Sequence, residues 1–207
     1  MICNIDYSTK IGSSSFFVNS NSFVCDIDYR SSCCFYITVF TKWINSKWSF
    51  SNINRSTIFN INSSNSNGIN NLAGTKVTTA YGTGSTRTTF NIANGVNNSN
   101  GIYSKNGAVE VSHSDFTTGS GQYNNGIYAF TGSTSVKAED SNFNINGNDS
   151  HGIYLKAGTL NTARNVFNVN NSSSNNGIYA DNSSTGVEDN GSTFYVNKGG
   201  NGIFANQ

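Results

Sequence analysis

One cadence constrains this chain more than any other feature. Gly-Ile-aromatic recurs as Gly101-Ile102-Tyr103, Gly126-Ile127-Tyr128, Gly152-Ile153-Tyr154, Gly177-Ile178-Tyr179 and Gly202-Ile203-Phe204, with Gly68-Ile69-Asn70 as a degenerate earlier copy. Successive glycines are 33, 25, 26, 25 and 25 residues apart. One phenylalanine per interval keeps pace: Phe59, Phe90, Phe116, Phe143, Phe167 and Phe194. A period of this size belongs to solenoids, propellers and repeat arrays, whose single unit cannot bury its apolar face alone.

Inside each unit the local period is two. Phe59-Asn60-Ile61-Asn62, Phe143-Asn144-Ile145-Asn146 and Phe167-Asn168-Val169-Asn170 alternate apolar and polar, the pattern of a half-buried strand. Seven residues before the Phe stand Val109, Val136, Leu160 and Val187. Each unit therefore offers three short strands separated by Gly, Ser and Asn, and helical spacing is nowhere sustained. A propeller blade needs roughly 40 residues, more than this unit has. The expected fold is all-β: a right-handed parallel β-helix, or β-solenoid, of about 25 residues and three short strands per coil. Coils stack at about 4.8 Å. Insertions are expected only between the Gly-Ile strand and the Val strand, or between the Phe strand and the next glycine.

The chain contains 36 Asn, 21 Gly and no Pro among 207 residues. The solenoid gives the asparagine a use. Asn67, Asn100, Asn125, His151, Asn176 and Asn201 precede the repeated glycines, where Asn-Gly tolerates positive φ and makes a tight corner. Stacked from coil to coil, their amides form a hydrogen-bonded ladder. A second polar column, Thr57, Thr88, Ser114, Ser141, Asn165 and Ser192, lies two residues before each Phe.

Charge excludes some partners. Only 11% of residues are charged, against roughly 25% in globular proteins, and the net charge is +1. Attraction to a phosphate backbone cannot organise binding, so nucleic acid is not an expected partner. The longest apolar run, Cys33 to Ile37, is far shorter than the ~18 residues of a membrane-spanning helix. Residues 1–50 form a non-repeat segment, a cap or a non-native leader, ahead of the repeats at 51–207. They hold Cys3, Cys25, Cys33 and Cys34, both tryptophans (Trp43 and Trp48), and an echo of Asn4-Ile5-Asp6-Tyr7 in Asp26-Ile27-Asp28-Tyr29 at a 22-residue step. No His is spaced to complete a zinc site with those cysteines, and neither metal nor cofactor is expected.

Two surface columns are candidates for function. Three residues before the Phe, Arg87, His113, Asp140 and Arg164 fall in successive coils, with Asp140 expected between His113 and Arg164, and Glu110 facing Lys137 nearby. This column is either a polar ligand stripe or an alternating-sign ladder that avoids stacking like charges. The other column is Tyr103, Tyr128, Tyr154, Tyr179 and Phe204; with the isoleucines facing in, these rings face solvent and form a stripe able to meet sugars or proteins. The repeat acids Glu110, Asp115, Glu139, Asp140, Asp149, Asp181, Glu188 and Asp189 share no column in neighbouring coils, which argues against the converging carboxylates of a glycan-cleaving enzyme.

Units such as Asn176-Gly177-Ile178-Tyr179-Ala180, a Val strand and then Ser-x-Phe resemble the passenger repeats of Gram-negative autotransporters, the pertactin-like right-handed β-helices, over about residues 51–207. The resemblance implies a secreted, extracellular or bacterial cell-surface protein at the outer membrane. It implies a non-enzymatic, adhesin-like display or stalk domain whose partner is a host-cell or matrix protein or glycan. The sequence starts without a basic n-region and apolar h-region and stops soon after entering a strand, with no translocating barrel following; a fragment or an incomplete reading frame is the expectation, with self-association through a bare terminal coil. The alternatives are a polysaccharide lyase or tailspike-type depolymerase, and an ice-binding solenoid. The latter would need Thr-x-Thr in every coil, whereas Thr86, Thr88 and Thr89 supply it in one.

Overall fold

In a computed structural model of the chain, residues 57–72, 76–80, 87–131 and 134–206 are described, together with the short strands Ile2–Asn4, Ser15–Phe16, Val24–Asp26, Phe35–Val39 and Ile53–Asn54. The protein is a parallel β-solenoid, and every strand pairing among the described residues is parallel. The Phe strands (Thr57–Ile61, Thr88–Ile92, Ser114–Thr118, Asn142–Ile145, Val166–Val169 and Thr193–Val196) form one sheet in strict register, Phe against Phe. The Gly-Ile strands pair Ile69, Ile102, Ile127, Ile153, Ile178 and Ile203 in the same way. The Val strands pair Val77, Val109, Val136, Leu160 and Val187.

Three inward columns build the core. The six Phe rings form a continuous parallel stack with centroids 4.6 to 4.8 Å apart and planes within 1° to 8° of parallel. Phe90, Phe116, Phe143 and Phe167 are fully buried, in one cluster with the Ile and Val columns. The strand spacing sets the ring spacing, because each ring is carried one coil along by an in-register ladder.

The repeated glycines have a different role from the one read in the sequence. Neither they nor the residues before them have positive φ. Gly and Ile both turn inward, and a Cβ on Gly126 would lie 2.6 Å from the Gly152 carbonyl oxygen and 3.0 Å from Phe143 Cδ1. The glycine thus admits the Phe ring and the next coil's backbone, a close approach rather than a left-handed turn. Left-handed corners lie two residues before the ladder position, at Asn65, Asn98, Tyr123, Asp149 and Gly199, and three before the Phe, at His113, Asp140, Arg164 and Gly191.

Two further expectations change. The longest coil carries its extra residues between the Val and Phe strands, since Val77 pairs with Val109 yet lies 13 positions before Phe90; residues 81–86 of that stretch are outside the described residues. In two coils the Gly-Ile and Val strands run on as single strands, His151–Ala163 and Asn176–Asn190, whose pairing shifts register between Leu155 and Ala157 and between Gly158 and Thr159. Bulges there bend the chain through the corner without ending the ladder. Near the N-terminus, Ile2–Asn4 pairs with Val24–Asp26, Cys3 opposite Cys25, at the 22-residue step of the sequence echo. Phe35–Val39 pairs onto Thr57–Ile61 at the same step. Cys33, Cys34, Trp43 and Trp48 lie outside the described residues.

These contacts rank three substitutions by thermal or urea unfolding. Phe143→Ala opens a cavity in the stack and is expected to cost about 3–5 kcal/mol. Gly126→Ala overpacks the same place and is expected to cost about 1–3 kcal/mol. Gly186→Ala, whose added Cβ meets nothing within 4 Å, is expected to stay within about 0.5 kcal/mol of wild type.

Candidate functional site

The outer face of the Gly-Ile strands carries an open groove of about 640 Å³ running along the solenoid axis from Asn98 and Asn100 to Asn201 and Phe204. Its floor is the ladder column, one wall is the aromatic column, and the other is the left-handed corner with Tyr123 and Asp149. The floor is built by translation: Asn100 Nδ2 donates to Asn67 Oδ1 at 2.8 Å, Asn125 Nδ2 to Asn100 Oδ1 at 2.9 Å, and Asn201 Nδ2 to Asn176 Oδ1 at 2.8 Å. Beneath it a second buried ladder joins backbone to side chain. Ser66, Ser99, Asn124 and Ser150 each donate their N–H to the side-chain oxygen of the next coil's equivalent residue, at 3.0 to 3.1 Å. The column before the Phe uses the same device, Ser114 N–H to Ser141 Oγ, Ser141 N–H to Asn165 Oδ1 and Asn165 N–H to Ser192 Oγ. These bonds satisfy backbone donors where the corners would orphan them.

His151 interrupts the floor. Asn176 Nδ2 donates to its Nδ1 at 3.1 Å, which fixes that nitrogen as the acceptor of a neutral ring. With no amide to offer the preceding coil, it leaves Asn125 Oδ1 buried without a hydrogen-bond partner. The imidazole stacks on Tyr179 and meets Tyr154 edge-on. Burial pushes its pKa down to about 4, opposed by the nearby Asp149 carboxylate.

The aromatic column is in register as expected, Tyr103 against Tyr128, Tyr154, Tyr179 and Phe204, with Asn70 at the head. The tyrosines are not a freely exposed stripe. They are half-buried and interlocked, perpendicular at Tyr103–Tyr128 and Tyr154–Tyr179, stacked at Tyr128–Tyr154 and Tyr179–Phe204. Phe130 packs on Tyr103 and Tyr128 and receives the Lys156 ammonium over its face. Burial raises the phenol pKa of Tyr103 and Tyr128, and takes Tyr154 up to about 12 with help from the Asp181 carboxylate, which its hydroxyl reaches at 3.4 Å. These phenols remain hydrogen-bond donors at neutral pH.

The charged column lies elsewhere, at the corner before the Phe strand. Arg164 grips Asp140 with two hydrogen bonds of 2.8 and 2.7 Å, and this contact holds the Asp140 carboxyl below its ordinary range. Arg87 turns to Asp115 at 2.6 Å and to the carbonyls of Ser114 and Asp140. His113 occupies the coil between Arg87 and Asp140 with φ 47°. Although Glu110 and Lys137 are register partners, their ion pairs go to Lys76 and Glu139 respectively. Among the described residues no group of three or more His, Cys, Asp or Glu is gathered to hold a metal ion. Sequence reasoning missed Tyr123 and Asp149 as the second wall, because Asn65, Asn98, Tyr123, Asp149 and Gly199 share a backbone conformation but no side-chain type. Compared with protein-family models, curated proteins and solved structures, the chain gives no significant match.

His151 makes stability pH-dependent in a stated direction. Its folded pKa lies below the unfolded value of 6.5, so its contribution is full above pH 6.5 and is lost as the pH falls towards 4, by about 3 kcal/mol in all. His151→Asn removes that titration and offers Asn125 its missing amide. Paired melting curves are expected to show a stability advantage for the variant that grows as pH drops from 7 to 4.5; a constant difference would mean that the ring is not buried neutral.

Proposed function

We propose that the chain is a display solenoid, the passenger part of an adhesin-like, autotransporter-type protein on the outside of a bacterial cell, and that it adheres to host-cell or matrix material without catalysing a reaction. The observation that carries this reading is the groove along the Gly-Ile face, with repeated amides on its floor and rings along one wall. A binding surface built by repetition suits adhesion, since each coil adds the same weak contact and the sum grows with length. The charged corner supports the same reading, because Arg87, Asp115, Asp140 and Arg164 are spent on one another.

Adhesion assays test it. Beads coated with the protein are expected to bind cultured epithelial cells or extracellular matrix, and the double variant Tyr128→Ala/Tyr154→Ala is expected to reduce binding at least several-fold. Because these rings are interlocked, each truncation also costs about 1 kcal/mol, so binding is compared well below the variant's melting temperature. Equal adhesion by the folded variant would remove the groove from the account. Release of reducing ends or unsaturated uronate from a polysaccharide would overturn its non-catalytic part.

A further inference from the structure

We propose that the occupant of the groove is an uncharged, extended glycan chain lying parallel to the solenoid axis, one sugar per coil; this rests on the adhesion reading above and names its ligand class. The lining contains no Lys or Arg, and the imidazole at its centre is held neutral, so a polyanion finds no counter-charge there. Asp149 is the one carboxylate of the lining and sits at the rim corner. What the groove repeats is uncharged. Asn100, Asn125 and Asn201 each spend one amide N–H on the preceding coil, which leaves each a second N–H, while Asn176 divides its two between His151 and the Ser174 carbonyl. Each aromatic brings apolar ring surface, and each tyrosine a phenol hydroxyl as well.

Spacing selects the shape. Neighbouring rings of the wall are 4.7 to 5.5 Å apart, and an extended β-1,4-linked chain of pyranoses advances by close to that distance per sugar. A flat ribbon of sugars therefore stays in step with the coils, whereas a curling α-1,4 chain leaves the groove after one or two. The groove ends at Phe204 and begins at Asn98, so about five coils take part.

Titration calorimetry at pH 7.5 with β-1,4 oligomers of glucose and of N-acetylglucosamine, two to seven sugars long, tests this. Affinity for at least one series is expected to rise with each sugar up to about five and then level. Maltohexaose and hexagalacturonate are expected to bind at least tenfold more weakly than the matching neutral β-1,4 hexamer. Tyr128→Ala/Tyr154→Ala is expected to lose at least tenfold for the hexamer. Absence of binding in both β-1,4 series, affinity independent of length, or preference for the uronate chain would overturn the proposal. If cells are still bound in a Tyr128- and Tyr154-dependent way under any of those outcomes, the adhesion reading stands and the glycan assignment alone falls.

Discussion

Everything in this protein is referred to one contact, a phenylalanine ring lying flat on the ring of the coil below. The stack of Phe59, Phe90, Phe116, Phe143, Phe167 and Phe194 is possible because parallel strands repeat at a distance that falls within the centroid spacing of stacked aromatic rings. It holds only if the residue across the core has no side chain. This is why a glycine sits beside each inward isoleucine, its missing Cβ filled by the next coil's carbonyl and a Phe ring. Phe and Gly are thus two halves of one fit, and their equal periods are a steric consequence.

Once coils are held in register, every other column inherits the same translation. Amide ladders form because each Asn finds its counterpart one strand away, and the inner ladders use the same geometry to satisfy backbone donors at the corners. The outward aromatic column and the groove beside it follow from the same repetition. His151 matters for the same reason: one residue that breaks a translational pattern creates an unpaired acceptor and a titratable group in a floor that otherwise has neither.

The columns were legible in the sequence because side chains facing the core, or a neighbour of their own kind, are restricted in type. Phe, Ile, Val and the Asn, Ser and Thr columns could all be read, down to Asn165 substituting in a serine position. Corners were not legible. Backbone conformation there is fixed by coil-to-coil hydrogen bonds, such as those from His113 and Asp140 N–H to Glu139 and Ala163 carbonyls, and this leaves the side chain free to vary. The left-handed positions therefore carry His, Asp, Arg and Gly at one corner and Asn, Tyr, Asp and Gly at another. Reading the first set as a charge ladder found the Asp140–Arg164 pair but not the turn from Arg87 to Asp115, which lies in the neighbouring strand. The second set conceals the groove's far wall. Glycine was misassigned because a sequence does not distinguish a residue chosen for φ from one chosen for space.

The axial order of the rings sets the register of every other column, and nuclear Overhauser contacts between selectively labelled Phe side chains measure it directly. With centroids about 4.7 Å apart, ring protons of Phe90, Phe116, Phe143 and Phe167 should connect in an unbroken series, each to the one before and the one after. Contacts that skip a coil, that link these rings to Tyr128 or Tyr154 in place of one another, or that are missing from a folded sample would contradict the stack and the register built on it.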